Sequence, residues 1–247
     1  MKLHQSLISK VSVLICVVLF AGIGGVARAQ DGDPRGLVEV DVPQDVLANY
    51  RDRRPNHGMY IGVTYEQFVP KNFVSGLDAA TYDTMYGTDA IPLIGLGIDY
   101  KYNIAIGSLS LGVGAAMGSI SDSRSGVDRK LEVTKYAVNA RFTLDALMPE
   151  PYAAPYVGFS AYQMGVTDHN ATTSKSETTS VGYAYTVGVL LQLDWIDYDA
   201  AKQATFNIGL ENTFIDLYVT QYAKAGSDTE PNTSTDMTLG AGLRLEF

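Results

Sequence analysis

Nine ionisable residues recur among the hydrophobic runs of this 247-residue chain and are the first candidates for chemistry: Glu66, Asp99, Asp194, Glu211 and Glu246 against Lys101, Lys135, Arg141 and Arg244. The two signs nearly balance. A lone charge in a narrow interior costs several kcal/mol unless it is compensated, so an interior network is expected, for example Glu211 with Arg244 or Asp99 with Arg141. Such a network could be a gate whose pairs exchange to pass ions, or a polar plug. The plug is preferred wherever such charges share an interior too narrow for a continuous aqueous channel.

Other chemistries find little support. Outside the first 29 residues the histidines are His57 and His169, so an embedded Ser and His pair of the kind that modifies lipids is not available. Asp168 and Ser174 lie near His169 in sequence, but such residues are ordinary polar loop filler. No glycine-rich phosphate loop follows a strand and opens a helix, and no His, Cys or Asp cluster has metal-ligand spacing. The chain reads as a non-enzyme with no cofactor and no metal. Acids concentrate between the hydrophobic runs, at Asp78, Asp83, Asp89, Asp122, Asp128, Asp168, Glu177, Asp228 and Glu230, a solvated anionic surface of no evident ligand.

The elements that must position these charges follow from periodicity. The clearest run alternates Val181, Tyr183, Tyr185, Val187, Val189, Leu191, Leu193 and Trp195 with small or polar residues, which predicts one long strand with a wholly apolar face. Seven more runs alternate in the same way. Their apolar sets are Ile61 to Tyr65; Ile94 to Tyr102; Leu109 to Met117; Tyr136 to Leu144; Val157 to Ala161; Phe206, Ile208 and Leu210; and Met237 to Phe247. Eight is an even number, as a closed up-and-down bacterial barrel requires. The expected fold is all-β, a closed eight-stranded antiparallel up-and-down transmembrane β-barrel. Connections alternate long and short, with long ones at 70–89, 119–128, 167–179 and 217–235 and short ones at 103–108, 145–154 and 196–202, so the long loops are expected at one end.

Glycine decides which face is outside. Twelve of the 21 glycines beyond the first 29 residues fall on the non-apolar face, Gly112, Gly188 and Gly209 among them. A face turned to water would favour Lys, Thr and Glu, whereas a narrow lumen needs small residues where backbones crowd. The apolar set therefore faces lipid. Tyr102, Phe142, Tyr156, Trp195, Phe206 and Phe247 are expected to form an interfacial belt at the short-turn end, and Phe68, Tyr136, Tyr183 and Phe214 a second belt at the other.

The N-terminus carries Lys2 and Lys10, an apolar run from Val11 to Phe20 and the Ala27-Arg28-Ala29 pattern before Gln30, the signature of an export signal cleaved after Ala29. Cys16 lies inside it, so the exported chain has no cysteine. Removing Lys2, Lys10 and Arg28 leaves 15 basic against 27 acidic residues, a net charge of −12, which makes nucleic acid an improbable partner. The organisation expected is a signal peptide over 1–29, a tail over 30–57 with one helical turn from Pro43 to Tyr50, and a barrel over 58–247.

The chain resembles the small bacterial outer-membrane barrels of the OmpA and OmpX type. The resemblance rests on the final alternation Leu239, Ala241, Leu243, Leu245, Phe247, in which a terminal Phe closes the last strand, and on the Pro155 to Gly158 strand opening. It covers Met59 to Phe247. It implies a place in the cell outer membrane among outer-membrane lipids, and it implies that Leu243, Leu245 and Phe247 form the address read by the barrel-assembly machinery, with periplasmic chaperones as partners during biogenesis. The function expected is structural or surface-interacting, with a narrow passive channel for small solutes as the alternative.

Overall fold

A computed structural model describes residues 49–122, 128–226 and 230–247. The export signal, its cleavage site, the tail up to residue 48, the side chain of Asp122 and Asp228 lie outside the described residues. Among the described residues no helix is long and apolar enough to cross a membrane.

Nine strands form one antiparallel sheet that closes on itself. They are β1 (His57–Phe68), β2 (Ile91–Ile104), β3 (Gly107–Asp122), β4 (Arg129–Thr143), β5 (Ala153–His169), β6 (Ser174–Thr178), β7 (Gly182–Gln192), β8 (Asn212–Tyr222) and β9 (Met237–Glu246). Sequential neighbours pair from β1 to β5, then β5 with β7, β7 with β8 and β8 with β9, and β1 pairs with β9 to close the ring. β6 is the upper part of the β7 stave. Partner numbering shifts by one residue between Tyr162↔Gly182 and Gly165↔Thr178, which defines a β-bulge, and Thr179 there exchanges backbone hydrogen bonds with Met164 through its main chain and hydroxyl. The barrel thus has eight staves.

Period-two patterning sorts its side chains. Leu96, Val113, Met117, Val138, Val187 and Leu239 are all more than half exposed on the outer wall. An apolar band of that extent facing water would be untenable, so the wall is the membrane-facing surface, its strands hydrogen-bonded around the closed ring. Glycines line the inside. A Cβ on Gly112 would stand 2.0 Å from Asp99 Oδ1 and 2.4 Å from the Ile98 carbonyl, so only glycine admits the inward carboxylate of the next strand.

Three expectations about elements need correction. First, Phe206, Ile208 and Leu210 do not belong to a strand. Two short helices, α1 (Tyr50–Arg53) and α2 (Tyr82–Tyr86), precede a longer one, α3 (Tyr198–Ile208), which occupies that segment. Asp197 caps its N-terminus by accepting from Ala200 N at 3.0 Å, and Gly209 ends it in a left-handed conformation at φ 71°. Caps at both ends and three alanines between them outweigh three residues of alternation. The seventh stave is instead β8, with Ile215 and Leu217 outward and Phe214, Asp216 and Thr220 inward.

Second, the long loops are not sorted by length. Much of the predicted loop over 167–179 is a hairpin, β5 running on to His169 and β6 beginning at Ser174, with Asn170 Oδ1 bracing the tip. At the opposite end, the predicted short turn over 196–202 opens into α3. The last long loop starts beyond Tyr222 rather than at Leu217. Third, the strand predicted to reach Trp195 ends at Gln192.

The end that holds Phe247 is called lower and the end with the β5–β6 hairpin upper. The largest buried apolar cluster fills the upper mouth: Phe73, Tyr82, Met85 and Tyr86 from the segment between β1 and β2 pack down onto Phe68, Ile91, Leu93, Leu131, Val133, Met164 and Val166. A smaller cluster around Tyr60, Leu190 and Phe214 lies lower down.

Candidate functional site: the charged lumen

Below the apolar lid the lumen is polar and layered. In the uppermost layer Lys135 Nζ lies 3.2 Å from Glu66 Oε2 and donates to the Tyr222 hydroxyl, which in turn donates to Glu66 Oε1 at 2.6 Å. Beside it, the Tyr162 ring packs edge-on against Tyr222, and its hydroxyl donates to the Ala223 carbonyl at 2.7 Å and meets Thr233 at 3.0 Å, tying the loop after β8 to the barrel wall.

The middle layer centres on Arg244. Its guanidinium donates to Asp99 Oδ2 at 2.6 Å and to Asp216 Oδ2 at 3.0 Å. Asp216 also accepts from the Tyr156 hydroxyl at 2.7 Å. Arg141 stacks on the Tyr156 ring with its Cζ 4.6 Å from the centroid, and approaches Asp99 at 3.6 Å. Three carboxylates, Glu66, Asp99 and Asp216, therefore face three cations, Lys135, Arg141 and Arg244. Around them is about 120 Å³ of space that water can enter. That volume holds a few water molecules.

The lower layer is built on Lys101, which is fully buried. Its Nζ lies 2.7 Å from Asp145 Oδ2 and donates to Glu246 Oε1 and to the Tyr50 hydroxyl. Tyr50 is equally buried and donates to Glu246 Oε1 at 2.7 Å. Asn212 Nδ2 donates to the other Glu246 oxygen at 2.8 Å, and Ser108 to Asp145 at 2.8 Å. With Arg54 donating to Asp145 Oδ1 at 2.9 Å, every oxygen of these desolvated carboxylates has a donor, the condition under which buried charge is tolerable.

Several sequence expectations are redistributed by this geometry. The pair Asp99 and Arg141 is present as a 3.6 Å contact, secondary to Arg244. The pair Glu211 and Arg244 is not present: Glu211 precedes β8 and binds Arg53 at the lower mouth. The reason is the misplaced seventh strand, which also hid Asp216; reading parity from Ile215 and Leu217 would have turned Asp216 inward. Asp194 stands below β7 rather than within it. It accepts from Thr213 N at 3.0 Å, and burial raises its carboxyl to about 6.

The belt expectation also changes. Tyr102 and Trp195 are exposed on the outside, and Phe142 shares the outward parity of Tyr136 and Val138. Phe247 lies half-buried beyond β9, its backbone N–H and C=O both paired with Met59. Leu243 and Leu245 pair with the outward Val63 and Ile61. Tyr156, however, points into the lumen, because it is out of phase with the outward Val157 and Phe159, and Phe206 sits exposed on α3. Of the other belt, Tyr136 and Tyr183 face outward, whereas Phe68 and Phe214 are buried inside. Asp145 and Tyr50 were missed: Asp145 continues the inward parity of Thr143 one step past the strand, and Tyr50 lies in the segment read as a tail. Among the described residues no three His, Cys, Asp or Glu side chains converge as a metal site would require.

A closed antiparallel barrel with an apolar outer wall and a charge-paired interior defines a membrane β-barrel protein. No protein-family model matches the chain, and no curated protein matches it. Among solved structures the chain is similar to the Neisserial surface protein A (14% identity, 78% of this chain and 98% of the other, TM-score 0.44). It is also similar to the N-terminal β-barrel domain of Pseudomonas aeruginosa OprF (11% identity, 77% and 97%, TM-score 0.43). A third likeness is to Ail, the attachment invasion locus protein of Yersinia pestis (14% identity, 77% and 97%, TM-score 0.42). Likenesses at this level do not transfer function.

Proposed function

We propose that this protein is an integral outer-membrane barrel with a structural or surface-interaction role, its lower end periplasmic and its upper hairpins displayed outside. The observation that carries the reading is the double closure of the lumen. Phe73, Tyr82, Met85 and Tyr86 fill the upper mouth, Tyr50 fills the lower one, and ion pairs occupy the space between. A solute pathway would need an open, hydrated route past all three, and eight staves supply no spare width. The display surface is the extension of β3 with β4 and of β5 with β6, where Asp122 pairs with Arg129 and His169 with Ser174 in register.

In this reading Leu243, Leu245 and Phe247 serve the barrel-assembly machinery, periplasmic chaperones carry the unfolded chain, and outer-membrane lipids bathe the wall. Planar-bilayer recording tests the sealed lumen. The native protein should show no single-channel steps. Stable steps whose conductance changes in Lys135→Ala or Arg244→Ala would establish the narrow channel instead.

A further inference from the structure

The segment before β1 is held as a ligand is held, not as a strand is. Residues 49–54 form one helical turn whose cap makes no side-chain hydrogen bond, and the barrel ladder begins only at His57. The main chain of residues 49–54 touches the barrel twice, through Tyr50 N to Glu150 Oε1 at 3.0 Å and Arg51 N to the Pro149 carbonyl at 3.1 Å, and the Pro55 and Asn56 carbonyls that lead into β1 accept from Asn103. The other contacts of residues 49–54 are made by side chains. Tyr50 is buried to its hydroxyl beside Lys101 and Glu246, Arg53 binds Glu211, and Arg54 binds Asp145 at 2.9 Å and the carbonyls of Ile104 and Gly107. Both arginines lie 5.9 Å from the centroid of the Tyr50 ring.

Without this segment the lower mouth presents Asp145, Glu150, Asp194, Glu211 and Glu246 against Lys101 and Lys202, an anionic socket with an aromatic-sized slot at its centre. Charge complementarity of that kind selects cationic chains and excludes acidic ones. We propose that the lower mouth is a docking site for a peptide segment that bears a tyrosine followed by arginines, and that residues 49–54 are such a ligand bound in cis. The occupant in trans is a polypeptide of that chemistry, which must displace the strap to enter. The proposal concerns the lower end only and goes beyond the surface role above.

The test uses the full chain in detergent or nanodiscs, with Tyr50→Ala and Arg54→Ala combined to weaken the cis ligand, and a fluorescent peptide of residues 46–56 as the probe. The peptide should bind the double variant saturably, at least tenfold more tightly than it binds the native protein, whose mouth is occupied. A peptide carrying Tyr50→Ala should lose at least tenfold, and added salt should weaken binding. Equal binding to native and variant protein, or no saturable binding to a folded variant, overturns the proposal. If the double variant does not fold, hydrogen exchange on the native protein decides. Amides of residues 50–54 exchanging at least a hundredfold faster than those of β1, while the barrel stays intact, mark a strap that leaves by itself. Exchange as slow as β1 overturns the proposal.

Discussion

Replacing Arg244 by methionine should expose how the middle layer of the lumen is held together. The side chain is almost fully buried, and so are both carboxylates it serves. Methionine approximates the stem but removes every donor. The two partners are not left equal. Asp99 keeps Arg141 at 3.6 Å, while Asp216 keeps only the neutral Tyr156 hydroxyl at 2.7 Å. Breaking a buried ion pair by removing one partner costs about 3 to 5 kcal/mol, because a desolvated charge is left uncompensated. Most of that loss should be traceable to Asp216. Urea titration in phospholipid vesicles, read by heat-modifiable gel migration, gives the folded fraction. Adding Asp216→Asn to Arg244→Met should restore more than half of the lost stability, and adding Asp99→Asn should restore distinctly less. Equal rescue by the two, or a single-variant loss below about 1 kcal/mol, would refute the reasoning by showing that water in the lumen screens the site.

Other expectations follow from the same geometry. Phe247→Ala should lower the amount of protein inserted in cells far more than it lowers the stability of inserted barrel, since the paired Met59 backbone survives and one interfacial ring is worth roughly 1 to 3 kcal/mol. Phe206→Ala, on exposed α3, should change neither by a measurable amount; equal insertion of the two variants in membrane fractions would make Phe247 an ordinary residue. Asp194 ionises in the folded protein at about 6 and in the unfolded chain near 3.8 because burial disfavours its charge. The folded state therefore holds the proton longer, and this group destabilises increasingly as pH rises through that window. Asp194→Asn keeps an acceptor for Thr213, so its urea midpoint should exceed that of the native protein at pH 7.5 and match it at pH 3.5; a difference independent of pH rules the explanation out. Gly112→Ala would force a Cβ into Asp99 and the Ile98 carbonyl and should cost about 1 to 3 kcal/mol, whereas Gly165→Ala meets nothing within 4 Å and should stay within about 0.5 kcal/mol. Urea midpoints of the pair, measured side by side, decide this.

Most of the architecture is legible in the chain before it folds. Alternation with period two fixes which face of each strand is apolar, and that decision is local: it needs only the neighbours at i+2. The same parity placed Glu66, Asp99, Lys101, Lys135, Arg141 and Arg244 inside. Where a segment was short the local signal failed. Phe206, Ile208 and Leu210 alternate by accident, and the helix caps Asp197 and Gly209 carry the stronger instruction. Tyr156 was lost because an aromatic near a strand end was read by type rather than by parity. Which charge meets which is settled only in the closed ring. Arg244 meets Asp99, 145 residues away, and Asp216, 28 away, and Tyr50 reaches Glu246 across 196 residues. Such pairings depend on stagger around a closed ring and on which segments fold back into the mouths. No periodicity along the chain encodes either, because both are set by closing the barrel and filling the space that closure leaves.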